Sequence, residues 1–186
     1  MTGAVWLGVI SPMKFNVRHT FKNISREEYE KIYFNEPFNE ALCAAVNLGR
    51  VLETLTEEAG VLKRSVRVAP QRDIPAPVAK VIGADRIEYV EHITYPMGSY
   101  RGTWDTVPGL LASKLISVGT FGFDESPEGV VRWIEGDINV KIFGIGSMIE
   151  KIMVSEVEKS YDDAAKFTQA WLNDGGMTRM AEASGA

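Results

Sequence analysis

The chain has very little sulfur and imidazole to work with: one cysteine, Cys43, and two histidines, His19 and His92, in 186 residues. A lone thiol closes no internal disulfide, and three scattered ligands make a poor zinc set. No metal or other cofactor is therefore expected, and a reducing cytoplasm is the expected compartment. Basic residues are also in deficit. Twenty Lys and Arg against 25 Asp and Glu leave a formal net charge of -5 at pH 7, whereas nucleic-acid binding draws on clustered cations that neutralise phosphates. Nucleic acid is not an expected partner. No apolar run approaches the roughly 20 residues that span a bilayer. The opening MTGAVWLGVISP lacks a basic stretch before its apolar one, so residues 1–12 read as a tail rather than an address.

Glycine is plentiful, at 17 residues, but it is missing from the places that nucleotide binding would need it. The stretch VKIFGIGSMIEKIM, Val140 to Met153, offers Gly144, Gly146 and Ser147. It has neither the third glycine of the dinucleotide fingerprint nor the Gly-Lys-Ser/Thr of a phosphate loop. The remaining reading is structural: the two glycines permit a tight turn from strand to helix, Ser147 caps the helix, and Glu150 completes a capping box.

The apolar pattern supplies the rest. MKFNVRHTF alternates Phe15, Val17, His19 and Phe21 against polar residues, the period of a half-buried strand. Ser25 followed by Glu28 starts a short helix through SREEYEKIYF, and NEALCAAV, residues 39–46, predicts a second. Six strand-like segments follow between Gly49 and Phe143, interrupted by PAPVAKVIG, residues 75–83, as a helical turn or an excursion over the sheet. Val131 and Trp133 share one parity while Ile138, Val140 and Ile142 share the other, which predicts a bulge near Gly136. Ser147 to Leu172 then repeats apolar residues at three-and-four spacing, a long amphipathic helix. The order is α+β, a curved antiparallel sheet of about seven strands with two short helices after strand one and a long C-terminal helix. Residues 13–174 form the expected domain, and the small, polar, glycine-rich residues 175–186 a flexible tail.

Candidate chemistry is sparse. His92 lies on the parity of Val90 and Thr94, opposite Tyr89, Ile93 and Tyr95. His19 shares the face of Phe15 and Val17 and reads as a satisfied, partly buried histidine. Neither has a sequence neighbour that makes a triad or a metal pair, so no catalytic residue is assigned. Aromatic and apolar strand residues are in excess instead, and Met153, Val157 and Tyr161 on the last helix are adaptable enough to line a variable pocket.

The segments KFNVRHTF, SREEYEKIYF, NEALCAAV and VKIFGIGSMIEKIMVSEVEKSYDDAAKFTQAWL, in this order, resemble the START-like (SRPBCC) helix-grip superfamily, which includes polyketide-cyclase and birch-pollen-allergen-like proteins. Within it the chain is most similar to an uncharacterised bacterial family with a Gly-Ile-Gly then Ile-Glu-Lys signature. PAPVAKVIGADRIEYVEHITY adds a short echo of the PRELI-like branch. The resemblance covers about Met13 to Leu172 and implies a sheet gripping the C-terminal helix with a hydrophobic tunnel between them, the short helices near its mouth. The first expectation is non-enzymatic: binding, transfer or sensing of a lipid or other hydrophobic small molecule. Tyr89, Tyr95, Tyr100, Trp104, Trp133, Met153, Val157 and Tyr161 are its expected lining, with Arg64 or His92 at the head group and a transient membrane contact among the expected partners. A cyclase, dehydratase or hydrolase would instead use Glu91, His92, Tyr95 or Glu135 to move protons. A chaperone-activator-like module would show a closed cavity and an exposed apolar patch.

Overall fold

The computed structural model describes residues 11–71, 73–84, 86–110 and 112–184. The N-terminal tail expected over residues 1–12 therefore lies almost wholly outside the described residues. Strand β1 (Met13–Lys22) is followed by helices α1 (Arg26–Tyr33) and α2 (Glu36–Ala45). Strands β2 (Leu48–Glu58) and β3 (Val61–Pro70), helix α3 (Ala76–Ile82), and strands β4 (Tyr89–Pro96), β5 (Arg101–Pro108), β6 (Leu115–Ser126) and β7 (Gly129–Val140) come next. Helices α4 (Gly146–Asn173) and α5 (Gly176–Ser184) complete the described chain.

All strand pairs are antiparallel, in the order β1-β7-β6-β5-β4-β3-β2. The α1-α2 connection carries the chain from one edge of the sheet to the other, and every later strand adds beside its predecessor until β7 meets β1. Ser25 accepts from the Glu28 N–H while the Glu28 carboxylate accepts from the Ser25 N–H, so the expected capping box starts α1. Asn35 caps α2 and Pro37 stands in its first turn, where a missing N–H costs nothing. Tyr29 and Ile32 of α1 are buried with Phe21, Phe121 and Phe123 in an aromatic core, with Tyr29 stacked on Phe21 at 4.8 Å. Helix α4 rests chiefly on β1 and β7. Its apolar stripe, buried at Ile149 and half-buried at Ile152, Met153, Val157 and Tyr161, packs along that side of the sheet, and the β2–β5 side has much less helix above it.

Three expectations are corrected. The expected bulge at Gly136 is absent, because β7 pairs in unbroken register with both β1 and β6. The inward face of β7 is Val130, Arg132, Ile134, Gly136, Ile138 and Val140, with a buried arginine where the sequence reading had put Trp133. Ser147 does not cap α4: the helix begins at Gly146, and buried Glu150 accepts from the Val140 N–H at 2.8 Å instead. That bond ties the first turns of α4 to the end of β7. Finally, the expected tail forms α5, whose Met177 and Met180 pack against the core. Two methionines three residues apart share one helical face, a pattern that the surrounding Gly, Ser and Ala obscured.

Candidate functional site

Strand parity decides which side chains meet inside the sheet. On β4 the inward residues are Tyr89, Glu91, Ile93 and Tyr95, and the register sets Glu91 between Val66 of β3 and Thr106 of β5. Arg64, inward on β3 and only 7% exposed, places one guanidinium nitrogen 3.9 Å from the Glu91 carboxylate. It also donates to the Tyr33 carbonyl at 3.3 Å, while its Nε is buried without a partner. On β2 the register shift after Leu52 keeps Arg50, Leu52, Leu55 and Glu57 on the inward side, opposite Val68, Val66, Arg64 and Leu62. Arg50 is buried against Glu36 of α2, with one bond of 2.9 Å.

The Glu91 side chain keeps 26% exposure even though it faces inward, so solvent reaches the space beside it. Burial nonetheless pushes its carboxyl pKa up, against the opposing pull of Arg64, Arg50 and His92. Its negative charge in turn helps raise the phenols of Tyr33, Tyr89 and Tyr161, for which burial is the leading cause. Cys43 is raised by burial as well, the expected state of an unreactive thiol. Of the expected lining, Arg64, Tyr89 and Tyr161 thus lie within electrostatic reach of Glu91, as does Tyr33, which was not among the expected site residues. Met153 and Val157 lie half-buried on the core-facing side of α4.

Other expected lining residues are elsewhere. Tyr95 is fully buried and donates to Glu30 at 2.6 Å, so it packs the aromatic core. Trp104 lies buried against Phe15 and over Gly119 and Gly136, whose missing Cβ atoms leave room for its ring. Tyr100 sits at the β4–β5 turn with φ 57°, donates to Glu27 at 3.0 Å and lies under the Arg26 guanidinium. Trp133 faces outward beneath Arg101, and His92 faces outward in contact with Asp105 at 2.9 Å, with a half-exposed ring. Neither Trp133 nor His92 can touch a molecule inside the sheet, because alternate strand residues point to opposite faces. Glu135 is likewise outward, bonded to Asn16 and Thr120.

Sequence reasoning missed a second interior group. Arg132 is buried under α4, donates to His19 Nδ1 at 3.0 Å and lies over the rings of Tyr161 and Phe21. His19 Nε2 meets Asp162 at 2.8 Å. An arginine can only donate, so His19 Nδ1 accepts and Nε2 carries the proton toward Asp162. Burial and Arg132 lower the His19 pKa while Asp162 raises it, with lowering the net result. A three-member chain from β7 through β1 to α4 thus fastens the helix. The unbroken parity from Val140 back to Val130 was the signal that would have placed Arg132 inside.

Among the described residues, two of the surface concavities lie beside α2. One of about 470 Å³ lies between the end of α2 and α4, lined by Val46, Asn47, Lys159, Asp163 and Phe167 among others. The other, about 270 Å³, lies between α2 and α5. Among the described residues no group of His, Cys, Asp and Glu could hold a metal ion, and no helix is long and apolar enough to cross a membrane.

A seven-stranded antiparallel sheet holding a long C-terminal helix, with two short helices between its first two strands, is the helix-grip architecture of START-like proteins. Solved structures with this fold include the Zhui aromatase/cyclase from Streptomyces sp. R1128, 8% identical over 86% of this chain and 95% of that one, with a TM-score of 0.58. Ginseng major latex-like protein 151 from Panax ginseng is 13% identical over 84% and 97%, with a TM-score of 0.53. A point mutant of norcoclaurine synthase from Thalictrum flavum, in complex with a transition state analogue, is 12% identical over 88% and 99%, with a TM-score of 0.54. These likenesses are of fold. No curated protein matches the chain. The family model described as "Protein of unknown function (DUF2505)" matches residues 16–172, and the chain belongs to that family.

Proposed function

We propose that the chain binds an amphipathic small molecule, a lipid or one of similar build, between α4 and the β2–β5 side of the sheet, for storage, transfer or sensing. The observation that carries this reading is the one-sided seating of α4 on β1 and β7. It leaves Glu91 inward-facing yet accessible and leaves Leu52 and Leu55 exposed on the inward side of β2. Apolar surface that the fold does not cover is surface that a ligand covers with gain. At about 25 cal/mol per Å², a few hundred Å² would contribute several kcal/mol before association entropy. Arg64 would meet an anionic head group, since its Nε lacks a partner and its ion pair with Glu91 is long.

Native mass spectrometry of protein purified from its own host tests the reading, and titration with a fluorescent alkyl sulfonate measures it. The expected outcome is a co-purified amphipath, with Arg64→Met weakening the sulfonate about tenfold and leaving a neutral alkyl alcohol unchanged. Protein that carries nothing and binds neither probe would overturn it. The pH dependence has a definite sign. Glu91 protonates above the ordinary carboxylate value of 4.5, so affinity for the sulfonate, which stays ionised, should rise as pH falls through that raised value and a competing negative charge disappears.

The convergence of Glu91 with Tyr89, Tyr161 and Arg64 also supports a second reading, proton transfer on a small cyclic or polyketide-like substrate. A carboxyl with a raised pKa beside buried phenols suits acid-base work, and two of the fold relatives are named as an aromatase/cyclase and a synthase. Turnover of such a substrate that Glu91→Gln abolishes, while binding persists, would select this reading over carriage alone.

A further inference from the structure

A group of uncovered apolar side chains lies away from the interior, at the end of the sheet where β5 leads into β6 and β7 leads into α4. Phe143 is 100% exposed there, and Leu110, Ile116 and Met148 are exposed with it. The two connections are joined: the Lys141 N–H donates to the Lys114 carbonyl at 2.7 Å, and Leu115 pairs with Val140. Their charge is one-sided. In GLLASKLISV, residues 109–118, the single charged residue is Lys114. In KIFGIGSMIEK, residues 141–151, Lys141 and Lys151 are exposed, while the one acid, Glu150, is buried with its carboxylate on the Val140 N–H. A chain of net charge -5 thus presents one end on which every exposed charge of these two segments is positive.

We propose that this end docks on the surface of an anionic lipid bilayer, with Phe143 and Leu110 entering the headgroup region and Lys114, Lys141 and Lys151 facing the lipid phosphates. A fully exposed phenylalanine beside lysines suits an interface that is apolar below and negatively charged at its surface. An ordinary protein partner would require a shaped, partly buried patch. A bilayer requires only a protruding apolar residue ringed by cations, and Gly144 with φ 82° makes the turn that projects Phe143. The surface is separate from the interior site, and the proposal stands whether or not the interior carries a ligand.

Co-sedimentation of the full chain with phosphatidylcholine vesicles, and with vesicles that also contain phosphatidylglycerol, tests it. The chain should be retained by the anionic vesicles, less so at high salt, and poorly by phosphatidylcholine alone. Phe143→Asp should lower the partition at least about tenfold, and the double variant K114E/K141E by a similar or larger factor. Because these side chains are exposed, both variants should melt where the parent does; if one misfolds, the other still decides. No retention on anionic vesicles overturns the proposal, and so does retention undiminished by the variants. Sedimentation velocity covers the remaining occupant: a self-associating chain that Phe143→Asp renders monomeric, with no vesicle binding, would make the surface a contact between copies and would also overturn it.

Discussion

Gly146→Val should destabilise the fold by about 3 kcal/mol, measured as the shift in a urea unfolding curve. Any Cβ at this position falls well inside contact distance of the Val140 carbonyl oxygen. That oxygen belongs to backbone and cannot swing aside as the end of a side chain could. The constraint comes from space rather than from a left-handed conformation, because Gly146 already belongs to α4 and its N–H donates to the Ile142 carbonyl at 2.9 Å. Relief would require α4 to move away from the end of β7, where Glu150 holds the Val140 N–H. The same substitution should therefore weaken ligand binding between α4 and the sheet. Gly144 provides the contrast. Its φ is 82° but a Cβ there meets nothing within 4 Å, so Gly144→Ala should cost only about 1–2 kcal/mol of backbone strain. A Gly146→Val protein within about 0.5 kcal/mol of the parent would show that β7 and α4 are not rigidly joined.

Much of this architecture is legible in the residues because parity and caps are local. The alternation in IEYVEHITY set His92 opposite Tyr89 and Tyr95, and the structure has His92 outside with Asp105. The Ser25-Glu28 pair marked the start of α1 correctly. The failures share a cause: each turned on what a residue meets across the fold. Trp133 looked inward by hydrophobicity, yet β7 buries Arg132 because Phe21, Tyr161 and His19 arrive from other elements to receive it. Ser147 and Glu150 match a capping box letter for letter, but the helix begins earlier and the glutamate is taken by a strand N–H. The Arg64-Glu91 pair was similarly out of reach as a pair, since 27 positions separate residues that only the β3–β4 register brings together.

The Arg132 chain carries the other large prediction. Arg132→Ala should destabilise the protein by about 3 kcal/mol, since three losses act together. His19 Nδ1 loses its donor, where an orphaned buried polar group costs roughly 1–3 kcal/mol, and the buried Tyr29 phenol loses the positive charge beside it. The rings of Phe21 and Tyr161 also lose the guanidinium packed on them, about 0.5–2 kcal/mol each. Against this stands the relief of a desolvated charge, which no carboxylate bridges directly among the described residues. A variant more stable than the parent would mean that this relief dominates. The pH profile separates the causes. With its folded pKa below the ordinary 6.5, His19 takes up a proton more readily in the unfolded chain, so its contribution is complete above about pH 6.5 and is lost as pH falls through the lowered value. Removing Arg132 takes away a positive charge that helps lower it and leaves Asp162 attracting the proton. The variant should therefore lose less stability than the parent between pH 6.5 and the acid limb, although it starts lower at neutral pH. Parallel curves for the two proteins would show that Arg132 holds α4 by packing alone, with no part in setting the charge on His19.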